Sequence, residues 1–168
     1  IETYKVKGIR LVPTYHQFDW SGKQVQAVFD VAEKKQIPLF ITARMEDHRL
    51  DYLLIQQPSP TTALSGALYD LPDVPVILTN ISAGELGNLS DPILRRNDTF
   101  AEISFFTNPA TAFENAVKLI GSERLMFGSA FNRLALGTAV ANMKYINLTE
   151  EQKEDIWYNN AARIFDLI

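Results

Sequence analysis

Cysteine is absent from the 168 residues of this chain. Disulfides, iron–sulfur clusters, cysteine-ligated zinc and a thiol nucleophile are therefore excluded. Histidine is nearly as scarce. His16 and His48 are the two present, and a three-histidine metal site cannot be assembled from them. There is no basic excess either. Sixteen Lys and Arg stand against twenty Asp and Glu, a formal net charge of −4, which argues against nucleic acid or an anionic membrane as partner. No apolar run approaches the ~20 residues of a membrane span. Ile1-Glu2-Thr3-Tyr4-Lys5 lacks the charged-then-apolar plan of a signal peptide. A cytoplasmic location is the expectation from these absences. Neither standard Gly-rich phosphate loop occurs, nor a Gly-x-Ser-x-Gly elbow, a His-x-His pair or a His-Glu-x-x-His motif. The four Asn-x-Ser/Thr sequons, at Asn80, Asn88, Asn97 and Asn147, read as chance, because each Ser or Thr has a structural role to fill.

What remains is ordinary for a globular chain: 46% hydrophobic, 21% charged, with 8 Gly and 8 Pro. A single domain over residues 1–168 is expected, large enough to bury a core without staples. Apolar runs lie at Gly8–Val12, Ile37–Ala43, Val74–Thr79, Phe100–Phe106 and Arg124–Gly128. They are continuous rather than alternating, as in strands covered on both faces of a parallel sheet. Helical patterns separate them. Ser21–Gln24 and Ser82–Glu85 read as capping boxes, and Ser59-Pro60 as an N-cap and first-turn pair. Ala112–Ile120 closes at Gly121, a fifth helix spans Arg133–Tyr145, and Thr149–Gln152 caps the last. The fold class is α/β, a parallel-strand (β/α) repeat of five units. Periodicity alone leaves open a doubly wound sheet or part of a barrel.

In either architecture ligands bind beyond the C-terminal ends of the strands. Five tips can be named: Pro13–His16, Arg44–Arg49, Thr79-Asn80, Phe105–Asn108 and Ser129–Asn132. The second is the most informative. Arg44, Glu46, Asp47, His48 and Arg49 concentrate cations, carboxylates and imidazole, a set that shifts pKa values and grips anions. The bland alternative is a solvated charged loop. His16 follows another strand toward the same mouth. Glu102 lies inside the fourth apolar run and needs a partner there, with Arg10 or Arg44 as candidates.

These tips resemble a known family. Lys7-Gly8-Ile9-Arg10-Leu11 with Pro13-x-Tyr15-His16 is similar to a middle strand of the amidohydrolase-2 family, metal-dependent TIM-barrel hydrolases and decarboxylases. Arg124–Phe131 resembles its last strand, written R-L-L-F-G-[ST]-D-[FY]-P. Asn160-Ala161-x-Arg163-Ile164-Phe165 resembles its closing helix, N-A-x-R-x-F. The resemblance implies a partial TIM barrel, its fourth to eighth β-α units, without the first three. Ile1 in place of Met fits the expectation of a trimmed or partial chain.

The departures are equally informative. The strand carrying the family's His-x-His metal pair has no counterpart here. Ala130 stands where the last strand carries an Asp, Asn132 replaces the following Pro, and Thr79-Asn80 stands where a His is common. An alanine offers neither a lone pair nor a proton. No cofactor is expected from this chain. A divalent metal such as zinc enters only if an N-terminal part supplies ligands.

The resulting expectation is hydrolysis or decarboxylation of a small carboxylate-bearing molecule at a metal-poor mouth. His16, His48 and Asp47 are the candidate catalytic residues. Arg10, Arg44, Glu46, Arg49, Asn80 and Glu102 are the candidate substrate contacts. The alternative is a non-catalytic binding or assembly module. Five units leave edge strands unpaired, so a homo-oligomer or association with a missing N-terminal segment is expected.

Overall fold

The computed structural model describes residues 5–45, 60–106 and 111–165. Five parallel strands, β1 (Ile9–Leu11), β2 (Leu39–Thr42), β3 (Val76–Thr79), β4 (Thr99–Glu102) and β5 (Leu125–Met126), form one sheet in the order β1-β2-β3-β4-β5. This order decides between the two open architectures. A doubly wound sheet reverses direction at a switch point. Here every crossover steps the same way, which is the winding of a barrel.

The helices are α1 (Pro13–His16), α2 (Lys23–Lys35), α3 (Pro60–Ala67), α4 (Ala83–Arg95), α5 (Ala112–Ile120), α6 (Leu136–Tyr145), α7 (Glu150–Glu154) and α8 (Asn160–Phe165). Leu39, Ile41, Val76, Leu78, Ala101 and Leu125 meet Phe29, Leu64, Leu68, Leu86, Leu89, Phe113 and Ala116 in the main core. Each fully buried side chain of this size contributes about 1.5–3 kcal/mol. On the opposite face, Ile77, Phe100 and Met126 form a second cluster with Phe40, Ile164 and Phe165. Phe165 of α8 stacks on Phe40 at 6.0 Å between ring centres, and the Arg163 guanidinium lies 5.6 Å from the centre of the Phe100 ring. The strands are apolar on both sides because both sides are covered.

Local signals explain most element boundaries. Ser82 and Glu85 form the expected capping box at α4, and Thr149 and Gln152 the one at α7. Gly121 ends α5 at φ 83°, a conformation L side chains rarely adopt. The sequon hydroxyls are used structurally, as anticipated: Ser90 Oγ donates to Gly87 O at 3.0 Å and Thr99 Oγ1 accepts from Arg96 Nε at 3.2 Å.

Other expectations are corrected. Ser21 does not cap α2. Its amide and hydroxyl both donate to Asp19 Oδ1, at 3.0 and 2.9 Å, and Gly22 takes the cap position. A preceding Asp closes a tighter local ring than a helix amide offers. α6 begins at Leu136 rather than Arg133. The Pro13–His16 tip is one helical turn, opened by Pro13 at its first position and ended by Gln17 at φ 48°. Phe131, at the end of the Arg124–Phe131 segment, is 73% exposed. The Ser59 cap lies outside the described residues. No helix among the described residues is long and apolar enough to cross a membrane.

A buried polar residue helps hold α8 to the sheet. Asn160 is buried, and its Nδ2 donates to Ser122 O at 2.8 Å and to Leu125 O at 2.7 Å. We expect Asn160→Ala to strand both carbonyls and to cost about 2–3 kcal/mol. The urea unfolding midpoint measures this.

Candidate functional site

All five strands present their C-terminal ends at one side of the sheet, so the named tips converge by topology. The parallel register sets side chains in rows across the sheet. Arg10, Phe40, Ile77 and Phe100 stand in one row. Thr42 and Thr79 stand in the next row toward the tips. Their hydroxyls are buried and lie 2.9 Å apart. Glu102 ends β4 beside Met126. The polar rim therefore sits directly above an apolar floor.

Arg44 and Asn80 are brought together. Asn80 occupies the left-handed region at φ 59°, which asparagine tolerates better than most residues. Its Nδ2 donates to Arg44 O at 2.7 Å. The Arg44 guanidinium reaches outward to the Glu85 carboxylate of α4. Glu85 also accepts from Thr61 Oγ1 at 2.7 Å and from the Ser82 amide and hydroxyl at 2.9 Å each. Burial pushes this carboxyl up. The Arg44 bond, the Ser82 amide, the Thr61 hydroxyl and the Arg44 charge outweigh it and hold the carboxyl at about 2. Sequence reading recognised Glu85 as a cap and missed it as the partner of Arg44. The residues are 41 positions apart, and no local pattern links them.

Glu102 is thus not partnered by Arg44. Its Oε1 accepts from the Ser104 amide at 2.8 Å and its Oε2 from Ser104 Oγ at 2.7 Å. The Asn80 backbone and the Arg10 charge also favour its ionised form. Burial raises the Glu102 carboxyl above its usual value, against the pull of those donors. Gly128 makes this placement feasible, because a Cβ there would overlap the carboxylate. Ser104 and Gly128 were not singled out from sequence; a Ser two residues beyond a strand carboxylate is the signal that was available.

Arg10 is exposed, with its guanidinium 5.9 Å from the centre of the Phe40 ring. His16 turns back on its own strand, where its Nδ1 accepts from Val12 N at 3.3 Å. The neutral ring then carries its proton on Nε2. His16 lies 6.3 Å from Phe18, ring centre to ring centre. It shares no hydrogen bond with Arg44, Asn80 or Glu102 among the described residues. Glu46, Asp47, His48 and Arg49 lie outside the described residues. A cavity of about 100 Å³ beside the β4 and β5 tips is lined by Ser104, Gly128, Ser129, Leu134, Thr138 and Asn142. It is well below the ~300 Å³ of ordinary small-molecule sites.

A family model described as amidohydrolase matches residues 1–167. The chain belongs to the amidohydrolase family. The fold is shared with solved structures at low identity. The 5-carboxyvanillate decarboxylase of Sphingomonas paucimobilis is 18% identical, with a TM-score of 0.72 over 98% of this chain and 59% of that one. A TIM-barrel protein of Bordetella bronchiseptica is 16% identical, with a TM-score of 0.74 over 99% of this chain and 59% of that one. A dihydroxybenzoic acid decarboxylase of a Polaromonas species, solved with manganese and 2-nitroresorcinol, is 15% identical, with a TM-score of 0.63 over 88% and 55%. No curated protein matches the sequence. The amidohydrolase chain described here spans about three fifths of the length of the first two structures and somewhat less of the third.

Two described tip positions of this amidohydrolase bear on metal binding. Ala130 ends the β5 tip with a methyl group, at φ 48°. The Asn80 Nδ2 is engaged by Arg44 O, which leaves its neutral Oδ1 as the atom it could offer. Among the described residues no three His, Cys, Asp or Glu come together in a group able to hold a metal.

The Arg44–Glu85 pair gives a pH prediction. A carboxyl held at about 2 in the fold, against an ordinary value of 4.5, stabilises the protein fully above pH 4.5. That contribution is lost as pH falls from 4.5 toward 2. Between pH 6 and pH 3 we expect the native protein to lose about 2 kcal/mol more than Glu85→Gln. Urea midpoints at the two pH values give the difference.

Proposed function

We propose that this amidohydrolase chain is the C-terminal arc of a barrel that hydrolyses or decarboxylates a small carboxylate-bearing molecule. The carrying observation is the mouth itself. Strands wound in barrel order converge on an exposed Arg10, a half-buried Glu102 and the tip that leads into residues 46–49. Arg10, one row below the rim, is the candidate to meet a substrate carboxylate, with Arg49 as its counterpart on the charged tip. Arg44, committed to Glu85, holds the start of that tip in position. His48, supported by Asp47, and His16 are the candidates for proton transfer, with Glu46 and Asn80 as polar substrate contacts. We take the mouth to be metal-poor, since Ala130 brings no ligand to the β5 tip.

The barrel reading also carries an assembly proposal. β1 and β5 each have one paired neighbour in the described sheet, and unsatisfied strand edges attract further strands. We take a further β-α segment or a second copy to cover them. A cytoplasmic location remains part of the proposal.

The test uses the full chain, purified without chelators and offered a panel of aromatic and aliphatic carboxylic acids. CO2 release and hydrolysis are both followed. We expect turnover of one member, a fall of about 10²-fold or more in His48→Ala, and far less than one equivalent of zinc, manganese or iron. Unchanged turnover in His48→Ala removes that residue's role. Stoichiometric metal overturns the metal-poor reading.

A further inference from the structure

Glu102 stands out because it is built in rather than left over. It ends β4 on the face turned away from the main core, two residues beyond Phe100, and so lies between the apolar floor and the open tips. It is half-buried, and its partner Ser104 and the neighbouring Gly128 both line the small cavity. Two donors are oriented on it, the Ser104 amide and the Ser104 hydroxyl. Gly128, two residues beyond β5, has no side chain, so the carboxylate fills the space a Cβ would take. Arg10 of β1 is the charged group that acts on it. At the adjacent β5 tip, Ala130 offers no competing acid.

We propose that Glu102, seated over Gly128 and oriented by Ser104, is a proton-transfer group of this mouth. The inference rests on the hydrolase or decarboxylase reading and deepens it. In a decarboxylation, the bond from carbon to carboxylate breaks and carbon dioxide leaves with its carbon. The electron pair stays on the substrate carbon, which takes the proton of the Glu102 carboxyl to form a C–H bond. Glu102 is then a carboxylate, and the two Ser104 donors that orient it hold the charge. A proton from bulk water restores it. Arg10, exposed in the row below, is placed to hold the departing carboxylate before cleavage. Burial favours the loaded acid and the donors favour the spent anion, so the group is set up to pass between the two.

Infrared difference spectra of the full chain across a pH titration read the carboxyl without needing a substrate. A protonated carboxyl band should persist above the ordinary glutamate range and vanish in Glu102→Gln. In Ser104→Ala it should persist to higher pH, because a donor to the anion is gone. Gly128→Ala, which displaces the carboxylate, should change that titration while far-ultraviolet circular dichroism stays native. With a turned-over substrate, kcat should fall about 10²-fold or more in Glu102→Gln and the acidic limb of its pH profile should move. Glu102→Asp should recover part of the rate. Ordinary glutamate titration in the native protein overturns the proposal, as does an unmoved titration in Ser104→Ala. Full turnover in Glu102→Gln alongside lost turnover in His48→Ala overturns it while leaving the hydrolase or decarboxylase reading intact.

Discussion

A parallel strand in this chain has to be covered on two faces, and most of the structure follows from that requirement. Helices cover the outer face with Phe29, Leu64, Leu86 and Phe113. The inner face is closed by its own side chains and by the end of α8, through Ile164 and Phe165. With both faces apolar, polar chemistry has room only where the strands end. Thr42, Thr79, Asn80 and Glu102 all lie at that boundary. The same constraint explains why the strands read as unbroken apolar runs and why their tips are polar and irregular.

At the tips, structure and chemistry compete for the same side chains. Arg44 has the composition of a substrate contact, yet its guanidinium is drawn outward to Glu85, and its carbonyl is held by Asn80. Glu85 gathers Thr61, Ser82 and Arg44 on one carboxylate, tying together the start of α3, the start of α4 and the end of β2. A half-buried pair with this many partners is expensive to break, because removing one member leaves a charge without compensation. Arg10, by contrast, remains exposed in the row below the rim.

The amount that could be read beforehand varied with the range of the interaction. All five strands were legible, since burial on two faces writes itself into consecutive residues. So were the caps at Ser82 and Thr149, which act within four positions. Ser21 was misread because Asp19, two positions earlier, competes successfully for its donors. The winding direction was not legible at all from periodicity; it resides in the sheet order, and only the resemblance of Arg124–Phe131 and Asn160–Phe165 to a family pointed to it. The partner of Arg44 was likewise hidden, since the fold alone brings Glu85 to it across 41 positions. For Glu102 the charge of Arg10 was among the candidates, whereas Ser104, two positions on, was overlooked. Asn160 was marked as a family signature without a reason, and the two carbonyls it holds supply one.

Gly128 has one more implication. Because the Glu102 carboxylate occupies the place of a side chain just beyond the neighbouring strand, positions 102 and 128 share a single volume. Neither can change size freely on its own. A larger residue at 128 demands a shorter one at 102, and a short residue at 102 releases 128 from being glycine. Across relatives of this chain, the two positions should therefore be inherited as a pair, and glycine at the last strand should track the presence of a long acidic side chain on the strand before it.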